Sequence, residues 1–124
     1  MHRAERLSEE ERDAFERDGF IMVRQALAPA AVGELRTLAD AFDAEYRATP
    51  DVTPFHTLNL HDLVGLDDAF LELVDLPTTF SKVWEILGWH IQVFHTQLLV
   101  TPPAPAQATA GAYGWHQDNN RMNL

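Results

Sequence analysis

The sequence contains no cysteine among its 124 residues. A disulfide framework, a zinc–thiolate site and a thiol nucleophile are therefore excluded. Basic residues are also scarce, since nine Lys and Arg stand against 19 Asp and Glu, for a formal net charge of −10. Phosphate groups are bound by clustered basic side chains, so this balance argues against nucleic acid and against an anionic membrane surface as partners.

Long apolar runs are missing as well. No run approaches the length of a membrane span, and residues 1–10 are too polar for the apolar core of a signal peptide. We therefore expect a cytoplasmic protein. Apolar residues make up 46% of the chain, which is enough for a modest core, and we expect one domain over residues 1–124.

Two helices are predicted near the N-terminus. Ser8 and Glu11 have the spacing of a capping box, which predicts a helix over residues 9–18 that Gly19 ends. Pro29 suits the first turn of a second helix. Apolar residues recur after it at three- and four-residue spacing, which is typical of an amphipathic helix: Val32, Leu35, Leu38, Ala39, Phe42 and Tyr46.

The remaining elements change from helix to strand along the chain, which indicates an α+β fold. Residues 1–88 are expected to be mainly helical, and residues 89–124 to hold the first core strands. The other predicted elements are a strand over residues 20–23, a helix from about 67 to 75, a helix from 77 to 87, a long strand over 91–100 and a loop over 101–110.

His116 and Asp118 form the pattern with the clearest chemical meaning. On a strand, side chains two positions apart point to the same face, so this imidazole and this carboxylate could reach one metal ion. With a second histidine they would form the facial triad of non-haem iron(II) oxygenases, which leaves three coordination positions open. A structural histidine beside a surface aspartate explains the same triplet when it is taken alone.

Three segments together resemble phytanoyl-CoA-dioxygenase-like proteins. LSEEERDAFERDGFIMVRQAL resembles the opening of the family, and WEILGWHIQVFHTQLLVTPP resembles its helix–glycine–strand–proline segment. GWHQDNN matches the Trp-His-x-Asp metal motif of the family. The resemblance implies the first strands of a double-stranded β-helix (a jelly roll, cupin-like), apparently incomplete. It also implies Fe(II) as cofactor, with His116 and Asp118 as ligands, and 2-oxoglutarate as cosubstrate.

The resemblance implies roles for other polar residues. His95 and Gln97 are expected on one face of the predicted strand, beside 2-oxoglutarate, although polar residues that merely face water would give the same pattern. His56 and His61 lie where the family builds part of the substrate entrance, although a histidine in a loop is more often simply solvated.

The function implied is that of a dioxygenase that hydroxylates a small organic substrate. Related halogenases replace the carboxylate ligand with a small residue, and Asp118 argues against that reaction. The third iron ligand and the arginine that binds 2-oxoglutarate are not found after Asp118, and Arg121 follows too closely to be that arginine. We therefore expect the 124-residue chain alone to be inactive.

Two other functions stay open at this point. One is a non-catalytic binding or regulatory module that keeps the oxygenase-like front half. The other is a β-helix protein that uses His116 and Asp118 for metal-assisted hydrolysis. The sequence predicts neither the identity of the substrate nor the oligomeric state.

Overall fold

The computed structural model of the protein describes residues 6–103. Helices and a small antiparallel sheet make up this part of the chain, which confirms the α+β class, while the β-helix stays a prediction. No helix in residues 6–103 is both long enough and apolar enough to cross a membrane. The elements are α1 (Glu9–Asp18), α2 (Pro29–Arg47), β1 (Leu58–His61), a 3-10 turn (Leu63–Gly65), α3 (Asp68–Leu71), α4 (Phe80–Leu87) and β2 (Gln97–Val100).

Helix α1 begins and ends where the sequence predicts. The Ser8 hydroxyl accepts the Glu11 N–H at 3.1 Å, and the Glu11 carboxylate accepts the Ser8 N–H at 2.9 Å. These two bonds satisfy donors that have no partner inside the first turn. At the other end Gly19 adopts φ 81° and ψ 2°, and its N–H bonds the Phe15 carbonyl at 2.8 Å.

The predicted amphipathic helix is α2, which begins at Pro29 as expected. Its apolar stripe is half-buried from Leu35 to Tyr46, whereas Val32 is exposed. Phe42 on this stripe faces Phe70 of α3, with ring centroids 6.3 Å apart. The contact places α2 against the segment that follows β1.

The two strands pair antiparallel and separate apolar from polar side chains. Leu58 pairs with Val100, and His61 pairs with Gln97 at the other end. Because side chains alternate along a strand, Leu58, Leu60, Leu98 and Val100 share one face. This face packs toward the small core that Leu58, Leu63 and Phe70 form. The opposite face carries the polar side chains together with the exposed Leu99.

Two predicted strands are corrected. Residues 20–23 have no regular structure, and Phe20 and Met22 are 63% and 65% exposed, because no strand of the described chain pairs with them. The strand predicted over residues 91–100 is regular only over Gln97–Val100. A strand needs a partner for its backbone N–H and C=O groups, and β1 supplies only four pairing residues.

Two helix predictions are correct in kind but wrong in their bounds. Helix α3 begins after Asp67, whose side chain accepts the Ala69 N–H at 2.9 Å, but it ends at Leu71 rather than near residue 75. Helix α4 begins at Phe80, not at Pro77, because residues 76–79 form turns that precede it. Its end at Gly88 is as predicted.

Charged side chains attach α1 to α4. The Lys82 ammonium lies 2.6 and 2.8 Å from the two carboxylate oxygens of Glu11 and 3.1 Å from the Arg6 carbonyl. Glu85 accepts hydrogen bonds from Arg6 and Arg12 at 3.1 and 3.3 Å. The Lys82 hydrogen bond, with help from the Ser8 N–H, lowers the pKa of Glu11, and the Arg6 hydrogen bond lowers the pKa of Glu85. Helix α1 itself buries no residue, so these ion pairs are a main part of its attachment.

Candidate functional site

Four polar side chains meet on the open face of the β1–β2 ladder. Asn59 and His61 belong to β1, Gln97 begins β2, and His95 lies two residues before it. The strand register brings His61 directly opposite Gln97. We call these four residues, Asn59, His61, His95 and Gln97, the polar cluster.

The members of the polar cluster are in contact with one another. The Gln97 side-chain amide donates a hydrogen bond to Asn59 Oδ1. Its Oε1 lies 3.0 Å from His95 Nε2. The His95 ring lies against the His61 ring, with centroids 5.0 Å apart and planes tilted by 59°. The result is a continuous row of contacts across both strands, from Asn59 to His61.

The polar cluster is exposed and borders open cavities. All four residues are exposed, whereas the other face of the ladder is apolar. A cavity of about 660 Å³ is lined by Phe94, His95 and Gln97 among others. An adjoining apolar cavity of about 350 Å³ is lined by Leu63, Phe70, Leu73, Val74, Val93, Thr96 and Gln97. Both volumes lie in the range of small-molecule sites.

The chemistry of the polar cluster suits an anion. Amide and imidazole groups supply N–H donors, and no carboxylate of residues 6–103 hydrogen-bonds to any of the four side chains. A ligand carboxylate could therefore accept hydrogen bonds from the polar cluster without repulsion from a protein carboxylate bonded to the same side chains.

The structure brings together residues for which the sequence predicted different roles. His95 and Gln97 were predicted to lie together, and they do. His61, predicted at the substrate entrance, lies against His95 and so belongs to the polar cluster. Asn59 was missed, although the alternation of Leu58-Asn59-Leu60-His61 is a period-two signal that places Asn59 and His61 on one face.

His56 makes different contacts. Its Nδ1 accepts the Thr53 backbone N–H at 3.2 Å, and its carbonyl accepts the Arg47 guanidinium at 3.2 Å. These bonds order the turn between α2 and β1, so the geometry favours a structural role for His56. Its role at the substrate entrance stays a prediction.

The predicted metal ligands His116 and Asp118 lie outside the described residues. Within residues 6–103, no group of three or more His, Cys, Asp or Glu side chains is arranged to hold a metal ion. The iron site therefore stays a prediction from the sequence.

A comparison with known protein families finds a match. The family model described as phytanoyl-CoA dioxygenase (PhyH) matches residues 15–123. No curated protein and no solved structure matches the chain. The matched range includes the polar cluster and the segment that contains His116 and Asp118.

Proposed function

The chain belongs to the phytanoyl-CoA dioxygenase family, and we propose that it contributes to an Fe(II)- and 2-oxoglutarate-dependent dioxygenase that hydroxylates a small organic substrate, the 124-residue chain alone being inactive. Membership places it among oxygenases. The observation that most supports the finer proposal is the polar cluster, a row of N–H donors on the open face of an otherwise apolar ladder.

In this proposal the polar cluster binds 2-oxoglutarate. The cosubstrate is a dianion, and hydrogen bonds from neutral donors to a charged group contribute about 1.5–3 kcal/mol each. Gln97 is the proposed direct contact, and His95 is proposed to hold the Gln97 amide in place. The neighbouring cavity of about 660 Å³ is large enough for a molecule of this size.

His61 is proposed to lie between the cosubstrate and the substrate. Its ring is 5.0 Å from that of His95, on the strand next to Gln97. A substrate that is oxidised with the help of 2-oxoglutarate must bind close to it. His61 can therefore orient a polar group of the substrate while Gln97, held in place by His95, binds the cosubstrate.

His116 and Asp118 are the proposed iron ligands. An imidazole nitrogen and a carboxylate oxygen are donors that non-haem iron(II) accepts, and their spacing suits one face of a strand. When bound, iron and 2-oxoglutarate together would supply the dioxygen chemistry that hydroxylates a C–H bond. The residues of this chain bind, orient and shield the reactants.

Anaerobic addition of Fe(II) and 2-oxoglutarate to the full-length protein tests the proposal. We expect a visible metal-to-ligand charge-transfer band, which His116→Ala abolishes. His95→Leu should keep the band but require more 2-oxoglutarate to reach it. His90→Ala is the matched control, because His90 is an exposed histidine that we assign to no site. A protein that binds both additions without a band contradicts the proposal.

Turnover separates this proposal from the two alternative functions. A dioxygenase releases succinate in step with substrate oxidation and needs dioxygen. A binding module would bind 2-oxoglutarate and release no succinate, and a metal-assisted hydrolase would turn over equally well without dioxygen. Succinate release by the 124-residue chain alone would contradict our expectation that it is inactive.

A further inference from the structure

The polar cluster contains a hydrogen-bond relay that starts at Asn59. Asn59 Oδ1 accepts a hydrogen from Gln97 Nε2, and Gln97 Oε1 faces His95 Nε2 at 3.0 Å. Asn59 lies on β1 while Gln97 begins β2, so the relay links the two strands on their polar face.

Each step of the relay determines the next. The oxygen and the NH2 group of a glutamine amide lie on opposite sides, so an amide that donates to Asn59 turns its oxygen toward His95. An amide oxygen can only accept, and His95 Nε2 must therefore carry the hydrogen. A neutral imidazole carries one ring hydrogen, which leaves Nδ1 of His95 as an acceptor.

We propose that Asn59 is a positioning residue that sets the orientation of the Gln97 amide and, through it, the ring tautomer of His95. The alternative arrangement reverses both amides, so that Gln97 Nε2 donates to an unprotonated His95 Nε2. The two arrangements require opposite tautomers of His95. A measurement on this single ring therefore decides between them.

The relay also determines which donors a ligand can use, and this consequence rests on the proposed function. Asn59 keeps both of its N–H hydrogens, and Gln97 keeps one, so two amides can donate to a carboxylate of 2-oxoglutarate while the relay stays intact. The Nε2–H of His95 is already used. His95 then holds Gln97 in place rather than donating from that nitrogen.

Long-range ¹H–¹⁵N NMR of the histidine rings measures the tautomer directly. The spectrum is taken at a pH where the rings are neutral, and His95→Gln identifies the His95 signal by its loss. We expect the Nε2–H form for His95, and the Nδ1–H form would overturn the proposal. His56 is an internal reference, because its Nδ1 accepts the Thr53 N–H and its tautomer should stay Nε2–H in every variant.

Two substitutions at residue 59 test whether Asn59 sets the tautomer. Asn59→Asp can only accept and should keep His95 in the Nε2–H form. Asn59→Lys can only donate, so it should turn the Gln97 amide around and favour the Nδ1–H form. We expect the ratio of the two tautomers to differ by at least about fivefold between these variants, the equivalent of one hydrogen bond of ~1 kcal/mol. Equal ratios would overturn the proposal.

Leu99→Ala is the matched control for both variants. Leu99 pairs with Asn59 across the ladder and shares its face, but it takes no part in the relay. Its removal should leave the His95 tautomer unchanged. A change as large as that in Asn59→Lys would assign the effect to general loosening of the strand pair and would refute the relay.

Cosubstrate binding supplies a second readout that separates this inference from the proposed function. In the iron-loaded protein, Asn59→Leu should weaken 2-oxoglutarate binding by about tenfold and leave iron binding unchanged. A protein that shows the predicted tautomers but binds no 2-oxoglutarate would refute the function and keep the relay. If 2-oxoglutarate binds normally and the His95 tautomer is the same in every variant at residue 59, the relay is refuted and the proposed function stands.

Discussion

Replacing Glu11 with glutamine tests how the first helix is attached to the rest of the chain. The Lys82 side chain is 7% exposed and that of Glu11 is 28% exposed. Glu11→Gln keeps an oxygen that can accept the Ser8 N–H but leaves the Lys82 ammonium buried without its counter-charge. Removing one partner of a fully buried pair costs about 3–5 kcal/mol. Because Lys82 keeps the Arg6 carbonyl, we expect the free energy of unfolding to fall by about 2 kcal/mol.

The reciprocal substitution should cost less. Lys82→Met keeps the apolar stem packed, and the Glu11 carboxylate it leaves behind is partly solvated and still accepts the Ser8 N–H. We expect a loss of about 1 kcal/mol or less. Because the pair is gone in either single variant, the double variant should lose far less than the sum of the two single effects.

Urea unfolding followed by circular dichroism measures all three variants. Ser8→Ala serves as the control, because it removes half of the capping box without touching the ion pair, at about 1 kcal/mol. If Lys82→Met destabilises the protein more than Glu11→Gln does, the buried ammonium does not depend on Glu11 and our reasoning is refuted. A loss of unfolding free energy in the double variant that equals the sum of the two single losses would also refute our reasoning.

Three further predictions concern the helix ends, the core and acid. Gly88→Ala should lower the free energy of unfolding by about 2–3 kcal/mol, since φ 84° with ψ −167° is a conformation that only glycine adopts readily. Gly19→Ala, at φ 81° and ψ 2°, should lower it by only about 1 kcal/mol, and equal losses in the two variants would contradict this difference. Phe70→Ala should cost about 3 kcal/mol because Phe70 is 7% exposed, whereas Phe94→Ala, at 63% exposure, should change the unfolding free energy little; similar costs would mean that Phe70 is not central to the core. The pKa of Glu85 lies below its ordinary value of 4.5 in the folded chain, so its contribution to stability is present above pH 4.5 and is lost as the pH falls toward the folded pKa. The free energy of unfolding, measured between about pH 3 and about pH 6, should therefore depend less on pH in Glu85→Gln than in the unchanged protein, and an equal dependence would contradict this prediction.

The parts of the fold that were predicted correctly depend on contacts within one segment. Helix α1 is specified by Ser8, Glu11 and Gly19, which all act within the helix or at its ends. Helix α2 likewise follows from Pro29 and an apolar stripe. Such features can be predicted because caps and periodicity need no knowledge of distant residues.

The two wrong strand predictions concern partners that are distant in sequence. Residues 20–23 and 91–96 have β-forming composition, but a strand forms only where another strand accepts its backbone hydrogen bonds. The late start of α4 is a smaller error of the same kind, because Thr78 turns its hydroxyl to the Ala26 carbonyl at 2.8 Å, 52 residues away.

The sequence by itself determined the α+β order of the elements, the ends of α1, the start of α2 and the pairing of His95 with Gln97, because each follows from residues that lie close together in the chain. Only the tertiary structure brought Asn59 and His61 to that pair, 38 residues away along the chain for Asn59. The register between the two short strands determines that these side chains meet. A shift of the register by one residue would turn Asn59 and His61 to the apolar face, and His95 and Gln97 would then have no polar side chain of β1 beside them.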